Sequence, residues 1–113
     1  MKTNLKFNSA ICTSREQSER LLALGLKKVT ADCVVSSIGS KDRLIHTEEP
    51  IYVMESLTSK RIPNYLAWSL HRLIVLSGMG IIETTTDNIY DKVIQYIEFL
   101  IKCEDFNKEY LED

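Results

Sequence analysis

The stretch CTSREQSERLLALGL, residues 12–26, narrows the folds open to this chain more than any other segment. It carries helix punctuation at both ends. Thr13 and Glu16 form a T-x-x-E capping box, and Ser14 with Gln17 offers the same box one residue later. In either register a side-chain oxygen meets an otherwise orphaned N–H of the first turn. Ser18, Leu21 and Leu22 then line one face, with Leu24 to the side. Gly25 stands where a helix exit needs a left-handed residue, and Leu26 can fold back on Leu21 as the apolar partner of a Schellman-type stop. The segment predicts a helix over about residues 14–24, with Arg15, Glu16, Glu19 and Arg20 on its outer face.

After this helix the texture changes. Val34, Val35 and Ile38 are β-branched, and Gly39-Ser40-Lys41-Asp42 is a turn signal before RLIHT. In PIYVMESL, Ile51, Val53 and Leu57 alternate with Tyr52, Met54 and Ser56, a period of two that reads as a strand begun by Pro50. Two or three antiparallel strands are expected across about residues 31–58. A second helix is expected over about residues 64–77, entered through Pro63, with Ser69 as a second place where it could be capped. Gly78 and Gly80 end it. IIETTT is a candidate short strand. Thr86 or Asp87 caps a third helix whose stripe is Ile89, Tyr90, Val93, Ile94, Ile97, Leu100 and Ile101.

The fold class is therefore α+β: one small domain over residues 1–113, with an N-terminal helix, a short antiparallel sheet of two to four strands and two further amphipathic helices. A chain of this length holds one core and not two. At 44% hydrophobic and 27% charged residues the composition is that of a globular protein.

Charge and cysteines bound the function. The net charge is -2, and the sequence pI is about 5.7, which argues against wholesale coating of nucleic acid. The distribution is uneven. Residues 1–30 hold six bases against two acids, and residues 87–113 hold three bases against eight acids. Cys12, Cys33 and Cys103 are odd in number and widely spaced, so a reducing cytosol is expected rather than a disulfide framework. MKTNLKFNSAIC lacks the apolar core of a signal peptide. No apolar run approaches the roughly 20 residues that span a bilayer.

The chemistry inventory is thin. His46, His71 and the cysteines have no metal-ligand spacing, so neither metal nor cofactor is expected. SGMGII lacks the lysine of a phosphate loop and the third glycine of a dinucleotide fingerprint. No G-x-S-x-G elbow accompanies the histidines. The chain is expected not to be an enzyme. A site assembled only by the fold would need His46 or His71 beside a carboxylate or cysteine in a deep pocket. SREQSERLLALGLKKVTADCVV has the outline of a helix-turn-helix, with a second helix beginning near Thr30. That helix would offer no Arg, Asn or Gln to base edges.

Two segments also carry a resemblance. C-T-x-x-E-Q-S-x-x-L-L-x-L-G-L falls on Cys12–Leu26 and continues to T-A-D at Thr30–Asp32. A P-x-W-S-L-x-x-L-L helix entry matches Pro63–Ile74 except that Asn64-Tyr65-Leu66-Ala67 separate the proline from Trp68-Ser69-Leu70. These motifs resemble an uncharacterised family of small proteins from prophages and mobile elements of gut bacteria, which has no known activity. The resemblance implies a bacterial cytoplasm and a mobile-element origin. The expected function is that of a non-enzymatic accessory protein binding another protein or a second copy of itself. The surface expected to do so comprises Arg15, Glu16, Glu19, Arg20, Tyr65, Trp68 and Arg72. A nucleic-acid binder using the basic N-terminal region is the alternative, and no membrane partner is expected.

Overall fold

Local signals set the ends of α1 and the start of α3, and the sheet joins the elements. The computed structural model describes residues 11–38, 41–78 and 89–112. In order these are α1 (Arg15–Ala23), β1 (Cys33–Ile38), β2 (Lys41–His46), α2 (Pro50–Ser59), β3 (Asn64–Ala67), α3 (Leu70–Ser77) and α4 (Ile89–Lys102). The architecture is α+β.

Of the two capping registers open to α1, the chain uses Ser14 with Gln17. The Ser14 hydroxyl accepts from Gln17 N at 3.2 Å, and Ser14 N donates to Gln17 Oε1 at 2.9 Å. Thr13 is thereby released for other work in the interior. At the exit, Gly25 has a φ of 102°. Its N–H donates to the Leu22 carbonyl, and Leu26 N–H donates to the Leu21 carbonyl. This is the paired Schellman pattern, and buried Leu21 and Leu26 are its apolar contact. The exit is then stitched to the far end of the described chain. Leu26 bridges Leu111, Lys27 N donates to the Tyr110 carbonyl at 2.8 Å, and Glu112 N donates to the Gly25 carbonyl at 2.6 Å.

The sheet has the order β2-β1-β3, with both pairings antiparallel. Val34, Ile45 and Leu66 sit in one row, on the face that meets the main core with Leu21, Trp68, Leu73, Val93, Ile94 and Ile97. The opposite face carries a smaller cluster of Cys33, Val35 and Ala67, with Cys12 and Tyr65 against it.

Three expectations are corrected. PIYVMESL is a helix and not a strand: α2 spans it from Pro50. Pro50, Val53, Met54 and Leu57 turn inward while Tyr52, Glu55 and Thr58 are exposed, which is the i, i+3, i+4, i+7 spacing of a helix. Pro50 fits because the first helical residue has no N–H bond to make. Second, the helix expected from residue 64 begins six residues later. Asn64–Ala67 is extended and pairs with β1, and Ser69 then caps α3 by accepting from Arg72 N at 3.1 Å. Third, the stretch after Thr30 is not a recognition helix. Lys28–Thr30 is one 3-10 turn, followed by strand β1. α4 follows the expected stripe, burying Tyr90, Val93, Ile94 and Ile97. The strand expected in IIETTT, the stop at Gly80 and the cap at Thr86 or Asp87 lie outside the described residues. No helix among the described residues is long and apolar enough to cross a membrane.

Candidate functional site

The residues expected to form an interaction surface are dispersed, and several already have partners. The Arg15 guanidinium lies over the Tyr65 ring, 4.7 Å from its centre, a cation–π contact joining α1 to β3. Glu16 and Glu19 are exposed. Arg20 is held by Glu98 at 3.1 Å, and Lys102 reaches the other Glu98 oxygen at 3.3 Å. Arg20 and then Lys102 keep the Glu98 carboxyl below its ordinary range. Gln17 Nε2 donates to Asp91 at 3.0 Å. Part of the polar face of α1 is thus a seam with α4. Trp68 is 0% exposed and belongs to the core, so it forms no surface.

What the fold does assemble is a polar network around Trp68, built from residues far apart in sequence. Trp68 N donates to the Thr13 hydroxyl at 3.0 Å, and Thr13 N donates to the Trp68 carbonyl at 2.9 Å. The Thr13 and Ser18 hydroxyls share a hydrogen bond of 2.8 Å. The Thr30 hydroxyl donates to the Lys27 carbonyl and accepts from the indole N–H at 3.0 Å. Close by in the chain, Asp32 holds Ser69. Ser69 N donates to Oδ1 at 2.8 Å and the Ser69 hydroxyl to Oδ2 at 2.5 Å. The Cys33 thiol donates to Oδ1 at 3.6 Å, and His46 Nε2 lies 3.2 Å from Oδ2. Cys12 bridges Ser69 from the other side. The C-T, T-A-D and W-S motif segments are therefore one contiguous structure.

Asp32 is invisible as a centre from the sequence, because its partners Ser69 and His46 are 37 and 14 residues away. The T-A-D motif is the only local signal. Burial works to raise the Asp32 carboxyl, but the Ser69 hydroxyl and amide, the Cys33 thiol and the charge of Arg72 together outweigh it and hold the group below its ordinary value. At neutral pH it is an ionised acceptor, and each oxygen already has two partners.

The arrangement resembles the acid–base half of a triad without the rest. Ser69 spends its hydroxyl proton on Asp32 and its lone pair on the α3 cap. Burial first, then Asp32 and Cys12, push the Cys33 thiol up to about 12. Burial and Asp32 also raise Cys12. Neither thiol is a thiolate near neutral pH, the form a nucleophile needs. His71 is exposed on α3. Among the described residues no group of three or more His, Cys, Asp or Glu is placed to hold a metal ion. A thiol reagent applied to the native protein will therefore modify exposed Cys103 first, with Cys33 reacting only as fast as the protein unfolds. Intact-mass counting of labelled thiols over time checks this.

The open surface lies elsewhere. β2 is exposed at every residue except half-buried Ile45. Thr47 N donates to the Asp32 carbonyl, in the same register as the β1–β2 ladder. Thr47, Ile45, Arg43 and Lys41 therefore turn their backbone groups toward β1, and Asp42, Leu44 and His46 turn theirs outward. No described strand lies beyond them. Compared with protein-family models, curated proteins and solved structures, the chain matches none.

Proposed function

We propose that this protein is a non-catalytic interaction module that pairs an extended protein segment along the outer edge of β2. The observation that carries the reading is the row of outward N–H and C=O groups at Asp42, Leu44 and His46 on an exposed edge strand. Such an edge is a template for strand addition, in which main-chain hydrogen bonds supply affinity. Lys41, Asp42 and Arg43 keep it from pairing indiscriminately. The saturated Asp32 and the protonated thiols favour a structural role for the interior polar network. The resemblance to mobile-element proteins fits an accessory role in a bacterial host.

The test is co-expression of tagged and untagged copies in a bacterial host, with tag capture after nuclease treatment. A host protein or the untagged copy is expected to be retained, and to be lost with Leu44→Pro. Proline there deletes an outward N–H and leaves the β1 ladder intact. Empty capture, or capture indifferent to Leu44→Pro, overturns the reading. Capture abolished by nuclease favours a nucleic-acid partner for the basic N-terminal region instead.

A further inference from the structure

Resting on that reading, we infer that the segment paired along β2 is β2 of a second copy, antiparallel about a two-fold axis through Leu44. The geometry of the edge selects this register. A two-fold axis perpendicular to a sheet passes through one residue of the paired strands. The outward backbone groups of the two strands meet when the axis stands at an outward-turned residue, and also when it stands at inward-turned Arg43 or Ile45, where the facing pair is the non-hydrogen-bonded kind.

An axis at Arg43 sets Arg43 against Arg43, and one at Ile45 carries Asp42 opposite Glu48, both like-charge pairs that repel. The outward-turned residues Asp42, Leu44 and His46 remain, and their side chains share one face. An axis through Asp42 sets Asp42 against Asp42, which repels. An axis through His46 sets His46 against His46 and carries Leu44 opposite Glu48. An axis through Leu44 sets Leu44 against Leu44 and Asp42 against His46, the latter twice by symmetry. Each of these facing pairs exchanges two N–H···O bonds. On the opposite face, Arg43 faces Ile45.

Nothing among the described side chains has to be withdrawn for this. Asp42 Oδ1 accepts from Ser37 at 2.8 Å, a bond that does not use Oδ2. The His46 side chain is 70% exposed, and its contact with Asp32 uses Nε2 and leaves Nδ1. The product is a continuous sheet with three strands from each copy. It is also closed with respect to this contact, because both β2 edges are consumed. An isologous contact of this kind ends at two subunits and does not propagate. A pairing confined to one short strand falls at the small end of interfaces, below about 1,200 Å², so the dimer is reversible with concentration.

Sedimentation equilibrium of the purified chain from about 1 µM to about 1 mM tests this. The expected mass rises from 13.0 kDa toward twice that value. Leu44→Pro is expected to stay monomeric throughout, with far-UV circular dichroism unchanged. Asp42→Lys, which sets a cationic side chain against His46, is expected to weaken the dimer roughly tenfold and serves if the proline variant does not fold. A wild-type chain that stays monomeric overturns the inference, as does a dimer that Asp42→Lys leaves equally tight. If the chain is monomeric yet captures a host protein through Leu44, the interaction-module reading survives and only the second copy is excluded.

Discussion

Trp68→Ala will destabilise the protein by about 3–5 kcal/mol, the range for emptying a large buried aromatic site. The loss has two parts. Trp68 is fully buried among Leu21, Leu26, Leu73 and the α4 stripe, so the vacated volume is bordered by elements that cannot all collapse into it. The Thr30 hydroxyl also loses the indole donor at 3.0 Å. Trp68→Phe separates the parts: it keeps most of the ring and deletes the N–H, with an expected cost of about 1–3 kcal/mol. Because the chain has one tryptophan, unfolding of both variants is followed by far-UV circular dichroism in urea. A Trp68→Ala midpoint equal to the wild type would mean that the indole is not the keystone of this core.

Asp32→Ala is expected to cost about 3 kcal/mol or more, as removing one member of a buried charged network does. It strands the Ser69 amide and hydroxyl at the start of α3, and it releases His46 at the end of β2. α3 and β2 lose one common anchor. The carboxyl also makes stability depend on pH, with a definite sign. Its folded pKa is held below the ordinary value of about 3.9. Its contribution is therefore complete above that ordinary value and is lost as pH falls through the lowered folded value. Urea midpoints measured from neutral pH into the acid range will fall in the wild type. In Asp32→Asn the part of that slope due to Asp32 will be absent. A slope identical in the two proteins would show that Asp32 titrates alike folded and unfolded.

The elements legible in the sequence are those whose signals are local. α1 announces both ends, by Ser14 with Gln17 and by Gly25. The stripe of α4 is long enough to have one period only. The pairing of β1 with β2 follows the turn signal at Gly39-Ser40-Lys41-Asp42, although Lys41 and Asp42 belong to β2 and not to a turn. α2 defeats a reading by periodicity because Ile51 to Leu57 satisfies a two-residue alternation while Pro50, Val53, Met54 and Leu57 satisfy a helical one. Over so short a stretch the two templates overlap. Asn64–Ala67 reads as helix because Leu66 and Leu70 stand four apart, and only pairing with β1 makes the segment extended. Beyond the T-A-D motif the polar network is not legible, because Thr13, Thr30, Asp32 and Ser69 become neighbours only after the sheet forms. Trp68, expected on an interaction surface, lies in the core because only the fold brings the Thr30 hydroxyl to its indole N–H.

The bridge between Leu26 and Leu111 has a consequence for how the protein is made. The exit of α1 is completed by backbone bonds from Tyr110 and Glu112. During synthesis α1 leaves the ribosome long before those residues do, and at ordinary elongation rates of about 5–20 residues per second it waits several seconds for them. Over that interval the nascent chain can form the hairpin and α2, but the Gly25 carbonyl and the Lys27 N–H keep water as their partner until Tyr110 and Glu112 have emerged.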